Sequence, residues 1–395
     1  MNRREMAKAI GGAALTAASY RRVLGANDRV GVALIGSGRR GTIVMRAMLE
    51  TGRADLQCIC DVYDVHRAQA RQALAPGNQN IHECVAHEEA LRLPGIDAAL
   101  LAVPDHLHIE LASAALAAGK HVYVEKPTTH KFEEQQKLRQ AVAASGKVLQ
   151  CGTQQRSGEH YIRAKEEIFD NNKLGKVVIV RTMWSDFSWQ RRHLQPRPKP
   201  AGLDWKRFLG SAPSVPFEWV RYDSWRYFPD YGDGLVADIL THWADVAQWM
   251  LNETRPLTAS ASGGIYDSAD RDGRVNPDTV NAILKYPGDW NLTFESSVLP
   301  LKAQQATVVF LGTEGSLDIS RERYIFMPNK GNRQVVEATG PLEIAHASNF
   351  FDAVVKGAKP NADVEIGIQA CNPVHLANRS YWEKRTVAWE ELAKV

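Results

Sequence analysis

Six residues, Val30-Gly31-Val32-Ala33-Leu34-Ile35, run straight into Gly36-Ser37-Gly38-Arg39-Arg40-Gly41. The apolar run reads as a buried strand. The periodic Ile43, Val44, Ala47 and Met48 that follow read as one face of a helix. A Gly-x-Gly-x-x-Gly turn between a strand and a helix constrains the fold more than any other feature of this chain. Gly36 permits the tight turn, Gly38 lets backbone approach a pyrophosphate, and Gly41 lets the helix close on the strand. The helix start offers unpaired N–H groups and a positive dipole to phosphates. Asp61 stands 20 residues past Gly41, at the end of the second strand. That is the place of an acid that grips ribose hydroxyls. A carboxylate there favours NAD and repels a 2′-phosphate, although Arg67 and the Arg39-Arg40 pair would soften that repulsion and leave NADP open.

The alternation continues. Strands are predicted at Leu56–Asp61, Ile96–Val103, His121–Val124 and Lys147–Cys151. Helices are predicted at Val65–Leu74, Leu107–Ala118 and Lys131–Ala144. Such a pattern makes an α/β unit, a doubly wound parallel sheet with helices on both faces. After Gly152 the pattern changes. Helices fit Tyr161–Asn171 and Val236–Leu251, and a Pro- and Gly-rich loop spans Pro196–Pro216. Extended runs then pair as hairpins about Pro287–Trp290 and Gly312–Gly315, and Ile366–Tyr381 reads as a closing helix. This half is expected to be α+β with a large, mainly antiparallel sheet. The division is a Rossmann domain over 27–151 and a substrate and oligomerisation domain over 152–395. A broad sheet face in the second half points to a homo-oligomer.

Residues 1–26 read as an export signal. Arg3-Arg4 precedes Lys8 and a weakly apolar Ala9–Ser19, a twin-arginine order that predicts a periplasmic or otherwise exported protein. The run is too short for a stable membrane anchor. This segment carries a formal charge of +4 against +3 for the whole chain, so the rest is close to neutral. That excludes an electrostatic footprint for nucleic acid. Cys58, Cys60, Cys84, Cys151 and Cys371 show no CxxC and no local Cys/His zinc spacing. They read as buried small hydrophobes, and no metal site is expected.

Three further features carry chemistry. Glu125-Lys126-Pro127 ends the fourth strand, where ligands of open α/β sheets bind. Alone, the tripeptide also fits a surface lysine before a turn. Asp238 and His242 lie i, i+4 on one helical face, where a carboxylate can orient an imidazole and raise its pKa. Alone, that pair also fits a core histidine. Pro104-Asp105-His106-Leu107-His108 opens a helix that Asp105 would cap. Trp184, Trp189, Trp205, Trp219, Trp225 and Trp243 suit either sugar faces or an ordinary core.

Together these motifs, with Ala118–Pro127, Asp204-Trp205, Leu209–Pro213 and Asp238–Trp249, resemble the Gfo/Idh/MocA oxidoreductases, whose exported members include glucose–fructose oxidoreductase. The resemblance implies an NAD(P)-dependent enzyme acting on a CH–OH or carbonyl group of a sugar, polyol or glycoside, with the cofactor tightly bound. It places the cofactor against Gly36, Ser37, Gly38, Arg39, Arg40, Gly41, Asp61, Pro104, His108, Glu125, Lys126 and Gln154. It places the substrate against Lys126, Arg156, Asp238 and His242. Lys126 would hold the reacting hydroxyl, His242 would be the acid/base, and Asp238 would orient it or bind a hydroxyl; Lys126 crowded against His242 would lower both pKa values by like-charge repulsion. Leu240 stands where many members have Gly, which bears on the substrate. An NAD-dependent glycoside hydrolase with internally recycled cofactor is the alternative the resemblance leaves open.

Overall fold

The computed structural model describes residues 29–185, 196–266, 273–298 and 307–393. The twin-arginine segment and Trp189 lie outside the described residues.

The first layer is built from β1 (Val30–Ile35), α1 (Arg39–Glu50), β2 (Ala54–Cys60), α2 (Asp64–Leu74), β3 (His82–Cys84), α3 (His87–Arg92), β4 (Ala98–Leu101), α4 (His108–Ala117), β5 (His121–Val124), α5 (Glu134–Ser145) and β6 (Leu149–Cys151). The strands pair in parallel, in the order β3-β2-β1-β4-β5-β6. β1 lies between β2 and β4 and every one of its residues is buried, which is why it reads as an unbroken apolar run. The order reverses at β1, so the cleft outside the strand ends opens there.

The chain then forms α6 (Glu159–Ala164), β7 (Val177–Ser185), α7 (Trp205–Leu209), α8 (Trp219–Asp223), a π-helical turn over Val236–Leu240 and α9 (Thr241–Leu251). Next come β8 (Thr258–Gly264), β9 (Thr279–Lys285), β10 (Asn291–Ser297), β11 (Thr307–Gly312), β12 (Gly315–Ile319), β13 (Arg323–Pro328) and β14 (Gln334–Glu337). The chain ends through α10 (Leu342–Lys356), α11 (Val364–Glu383) and β15 (Val387–Ala388). The second sheet runs β14-β13-β12-β11-β7-β10-β9-β8-β15 and is antiparallel except where β7 meets β10. One face packs on α9 and α11 through a core that includes Val180, Leu292, Phe294, Phe310, Leu317 and Trp243. Register puts Ile179, Ile283, Val309, Ile325, Met327 and Val335 on the other face, where Ile283 is 54% exposed.

Two C-terminal helices pack back across the boundary at residue 151. α10 returns to the first sheet and sets Ala347, Phe350 and Phe351 against the core of Val30, Val32 and Leu34. Burying two phenylalanines there contributes roughly 3–6 kcal/mol. α11 begins with Asp363 capping Ile366 N–H at 3.0 Å. It buries Ile368 in the first domain's other core and Val374, Leu376 and Ala377 in the second domain's core. One helix therefore packs into both domains and fixes the cleft between them.

Candidate active site

The glycine turn has the form its sequence implies. Gly36 has φ +87°, and a Cβ on it would fall 2.4 Å from the Ala102 carbonyl oxygen. A Cβ on Gly41 would fall 2.0 Å from the Gly36 oxygen, so α1 can reach β1 only without a side chain there. A Cβ on Gly38 would meet nothing nearer than the His66 ring at 3.9 Å. The space before Gly38 is open, at a helix start whose first N–H groups have no intrahelical partner. Asp61 is buried at the end of β2, where its Oδ2 accepts from Ser37 N–H at 2.7 Å and its Oδ1 from Tyr63 N–H at 2.9 Å. The Ser37 hydroxyl at 3.3 Å from Oδ2 and His66 Nδ1 at 3.5 Å from Oδ1 are longer partners that ribose hydroxyls would replace. These residues fit an NAD: a cradle a side chain would fill, a helix start for the pyrophosphate and an acid for the ribose. Arg39 is exposed beside it.

Other expected cofactor residues lie around this cradle with differing partners. Arg40 pairs with Glu125 at 2.9 Å and with Glu343 at 3.3 Å, and Glu343 also meets Arg321 at 3.3 Å. Gln154 donates to Glu125 at 3.3 Å. Arg40 is therefore engaged by carboxylates beneath the turn and ties the glycine loop to β5 and α10. Pro104 is half-buried at the end of β4. His108 is buried behind the cleft, its Nδ1 2.6 Å from the Pro127 carbonyl and its Nε2 3.0 Å from that of Val103. It holds the two strand-end loops together rather than facing a ligand.

Lys126 leaves the end of β5 and crosses to the second domain. Its Nζ donates to the Asp238 carbonyl at 2.8 Å and to the Asp238 carboxylate. Arg226 stands 3.5 Å from the same carboxylate oxygen. Burial pushes the Asp238 carboxyl up, but the Lys126 and Arg226 charges outweigh it and hold it below the usual range. Asp238 thus serves Lys126. The expectation that it orients His242 and raises its pKa is overturned: the partner of His242 is Gln155, whose Oε1 lies 3.1 Å from Nδ1. Burial, then Lys126, Arg321 and Arg40, hold the imidazole well below 6.5. An amide oxygen only accepts, so Nδ1 carries the proton and Nε2 presents a lone pair.

Asp105 does not cap its helix; no side-chain cap bond forms there. Its carboxyl is buried, and Oδ2 lies where a Cβ on Gly232 would come within 2.9 Å. Burial raises its pKa well above the ordinary value, against the pull of Lys126 and Arg226. Arg156 sets Nε 2.8 and 2.9 Å from the two oxygens of Asp245 and stacks 5.3 Å from Trp249. That engagement of Nε holds the turn carrying Gln155 against α9. Trp205 stacks on Phe208 at 4.9 Å within the core, while Trp225 carries the Arg226 guanidinium at 4.2 Å beside the site. Gln155, Arg226 and Arg321 had no local signal in the sequence, because each is brought in by a turn whose position tertiary packing sets.

A family model described as "Oxidoreductase family, NAD-binding Rossmann fold" matches residues 30–153, and the "GFO/IDH/MocA C-terminal domain" matches 162–318. The chain is 23% identical over 376 residues to myo-inositol 2-dehydrogenase of Thermotoga maritima, covering 92% of this chain and 99% of the relative. Among solved structures it is similar to aldose-aldose oxidoreductase from Caulobacter crescentus complexed with glycerol (TM-score 0.71, 19% identity, 91% of this chain and 99% of that one). The same figures describe its similarity to levoglucosan dehydrogenase in complex with NADH and levoglucosan.

Proposed function

Since this chain belongs to the Gfo/Idh/MocA oxidoreductases and carries an NAD-binding Rossmann domain, we propose that it moves a hydride between NAD and a CH–OH or carbonyl group of a sugar or polyol. The observation that carries the proposal is the meeting of Lys126, from the end of β5, with Asp238 of the second domain, four residues before His242, at the mouth of the nucleotide cleft. Bound NAD supplies the hydride acceptor. The chain supplies position and proton transfer. His242 Nε2 takes the hydroxyl proton, with Nδ1–H held by Gln155. The Lys126 ammonium, kept in place by Asp238, hydrogen-bonds the reacting oxygen. Polyols are the substrate class because inositol, levoglucosan and aldose enzymes are among the similar proteins, and because Asp105 and Arg226 set further polar groups beside the site.

The export-type segment at 1–26 supports a periplasmic enzyme of the glucose–fructose oxidoreductase kind that keeps its NAD bound. The mixed but partly apolar outer face of the second sheet supports assembly into a homo-oligomer. The test is to purify the protein without added nucleotide, denature it, and weigh what is released. Sugars and polyols are then offered with and without free NAD. Stoichiometric NAD with product and no net NADH marks internal recycling. An empty protein that makes NADH from added NAD marks a conventional dehydrogenase. A protein that ignores nucleotide in both formats refutes the reading.

A further inference from the structure

Where β2 and β3 end, on the face that α3 covers, register collects side chains that sequence spacing kept apart. β3 is the edge strand and pairs in parallel with β2, setting Cys58 opposite His82 and Cys60 opposite Cys84. Side chains two apart on a strand share a face. All four therefore lie on one face, with the cysteines in the core that α3 covers. Cys58 Sγ and Cys84 Sγ are 3.6 Å apart. α3 brings Glu89, whose Oε1 lies 2.7 Å from His82 Nε2. Donor atoms of His82, Cys84 and Glu89 all fall within 4.8 Å of one another.

From this convergence we propose that Cys58, His82, Cys84 and Glu89 form a four-coordinate site for a borderline-soft divalent ion of the zinc class. Two thiolates, an imidazole and a carboxylate are the donor types such an ion takes in tetrahedral sites. A tetrahedron with metal–sulfur bonds of ~2.3 Å has a sulfur–sulfur edge of ~3.7 Å, close to the Cys58–Cys84 separation. The His82 and Glu89 donors lie within 4.8 Å of Cys84 Sγ and of each other, and Cys58 reaches the group through its 3.6 Å approach to Cys84. Entry is open: Cys84 is buried, His82 is half-buried and Glu89 is exposed. Cys60 stays outside the set, its Sγ 3.6 Å from the Val85 carbonyl.

The role is structural. β3 has three residues and α3 has six, too few for either to persist by local bonding. The ion would pin both to β2. The pinned edge supports the nucleotide cleft, because Asp61 N–H donates to the Cys84 carbonyl at 3.2 Å.

The test uses the full chain, reduced, stripped with a chelator and kept anaerobic, titrated with Co²⁺ and then Zn²⁺. One equivalent of Co²⁺ giving thiolate-to-cobalt charge-transfer absorption and the visible bands of a tetrahedral centre, both erased by one equivalent of Zn²⁺, is the expected result. His82→Ala and Glu89→Gln lie at the rim, where folding is easily checked by circular dichroism. Each should weaken Co²⁺ binding by at least the ~10–100-fold that loss of an outer-shell partner costs. Cys58→Ser and Cys84→Ser should abolish the charge-transfer band, and Cys371→Ser, whose thiol lies 3.4 Å from Thr128 Oγ1 elsewhere, should leave it unchanged. No saturable band in the unmutated protein, or an unaltered band in folded His82→Ala, overturns the proposal. Neither result bears on the NAD chemistry, which has its own test.

Discussion

Replacing Gln155 by Glu tests the proton-transfer role proposed for His242. The two side chains have nearly the same shape, and Gln155 Nε2 has no hydrogen-bond partner among the described residues, so exchanging it for oxygen breaks no bond. The new carboxylate would stand about where Oε1 now lies, 3.1 Å from His242 Nδ1. Two unit charges at that distance and an effective dielectric constant of ~20 interact by ~5 kcal/mol, a ceiling of ~4 pKa units. Desolvation of the new carboxylate reduces this, and opposite charges in contact commonly shift a group by ~1–3 units. His242 now lies well below 6.5, so its acid limb in kcat/KM for alcohol oxidation should sit at low pH and move up by ~1–3 units in the variant. The sign follows from the role: a raised pKa keeps the imidazole protonated, which costs the base needed for oxidation and supplies the acid needed for carbonyl reduction. Oxidation should therefore fall on the acid side of the displaced limb, while reduction there should hold or rise. The assay is NADH absorbance in both directions across pH, with NAD binding by fluorescence as the control for folding. An acid limb that stays in place while NAD still binds would refute His242 as the titrating base.

Asp61→Ala removes an acid that holds Ser37 and Tyr63 and is proposed to grip the ribose. At ~1.5–3 kcal/mol for a charge-assisted bond, NAD should bind ~10–100-fold more weakly, with a smaller penalty on NADP; fluorescence titration with both nucleotides checks it, and equal losses would speak against ribose recognition. Asp238→Asn leaves Lys126 and Arg226 without their shared anion, a change that costs ~3–5 kcal/mol when a buried charge is left uncompensated. Its Tm should drop, and Lys126→Met/Asp238→Leu, which removes one of the two cations with the anion, should regain part of the Tm without regaining turnover. Acid should destabilise the fold through its neutral histidines. Burial holds His106, His346 and His375 at about 4. Because the folded values lie below the unfolded ~6.5, each contributes stability that is complete above pH ~6.5 and lost as pH falls toward 4, up to ~3 kcal/mol per group. Urea midpoints that stay flat between about pH 7.5 and 5 would contradict this.

The parts of this molecule that were readable from sequence are those governed by local rules. β1 is apolar throughout because it is central and covered on both faces, the glycine turn is set by backbone clashes within a few residues, and Asp61 follows at the spacing one β-α-β unit imposes. Strand β3 and helix α3 escaped because three and six residues leave no period to detect. Helix α10 escaped because its apolar face, Ala347, Phe350 and Phe351, answers to a sheet formed some 300 residues earlier rather than to its neighbours in sequence.

The site divides along the same line. Lys126, Asp238 and His242 stood out because strand-end and i, i+4 positions are local signals. Their pairing did not, because helical spacing shows which side chains share a face and not which of them meets a charge from another domain. Asp238 shares a face with His242 yet serves Lys126, 112 positions away, and His242 takes an amide 87 positions away. The difference is chemical as well as topological. An ammonium displaces an imidazole in competition for a carboxylate because its charge is permanent at neutral pH. The histidine left beside it stays neutral, which is the state a proton acceptor requires. An Asp238–His242 pair would have raised the base's pKa; burial, together with the like charge of Lys126 that its place in the site leads one to expect beside it, lowers it. Whether kcat/KM for oxidation stays flat through neutral pH or turns down there distinguishes these two wirings of the same three residues.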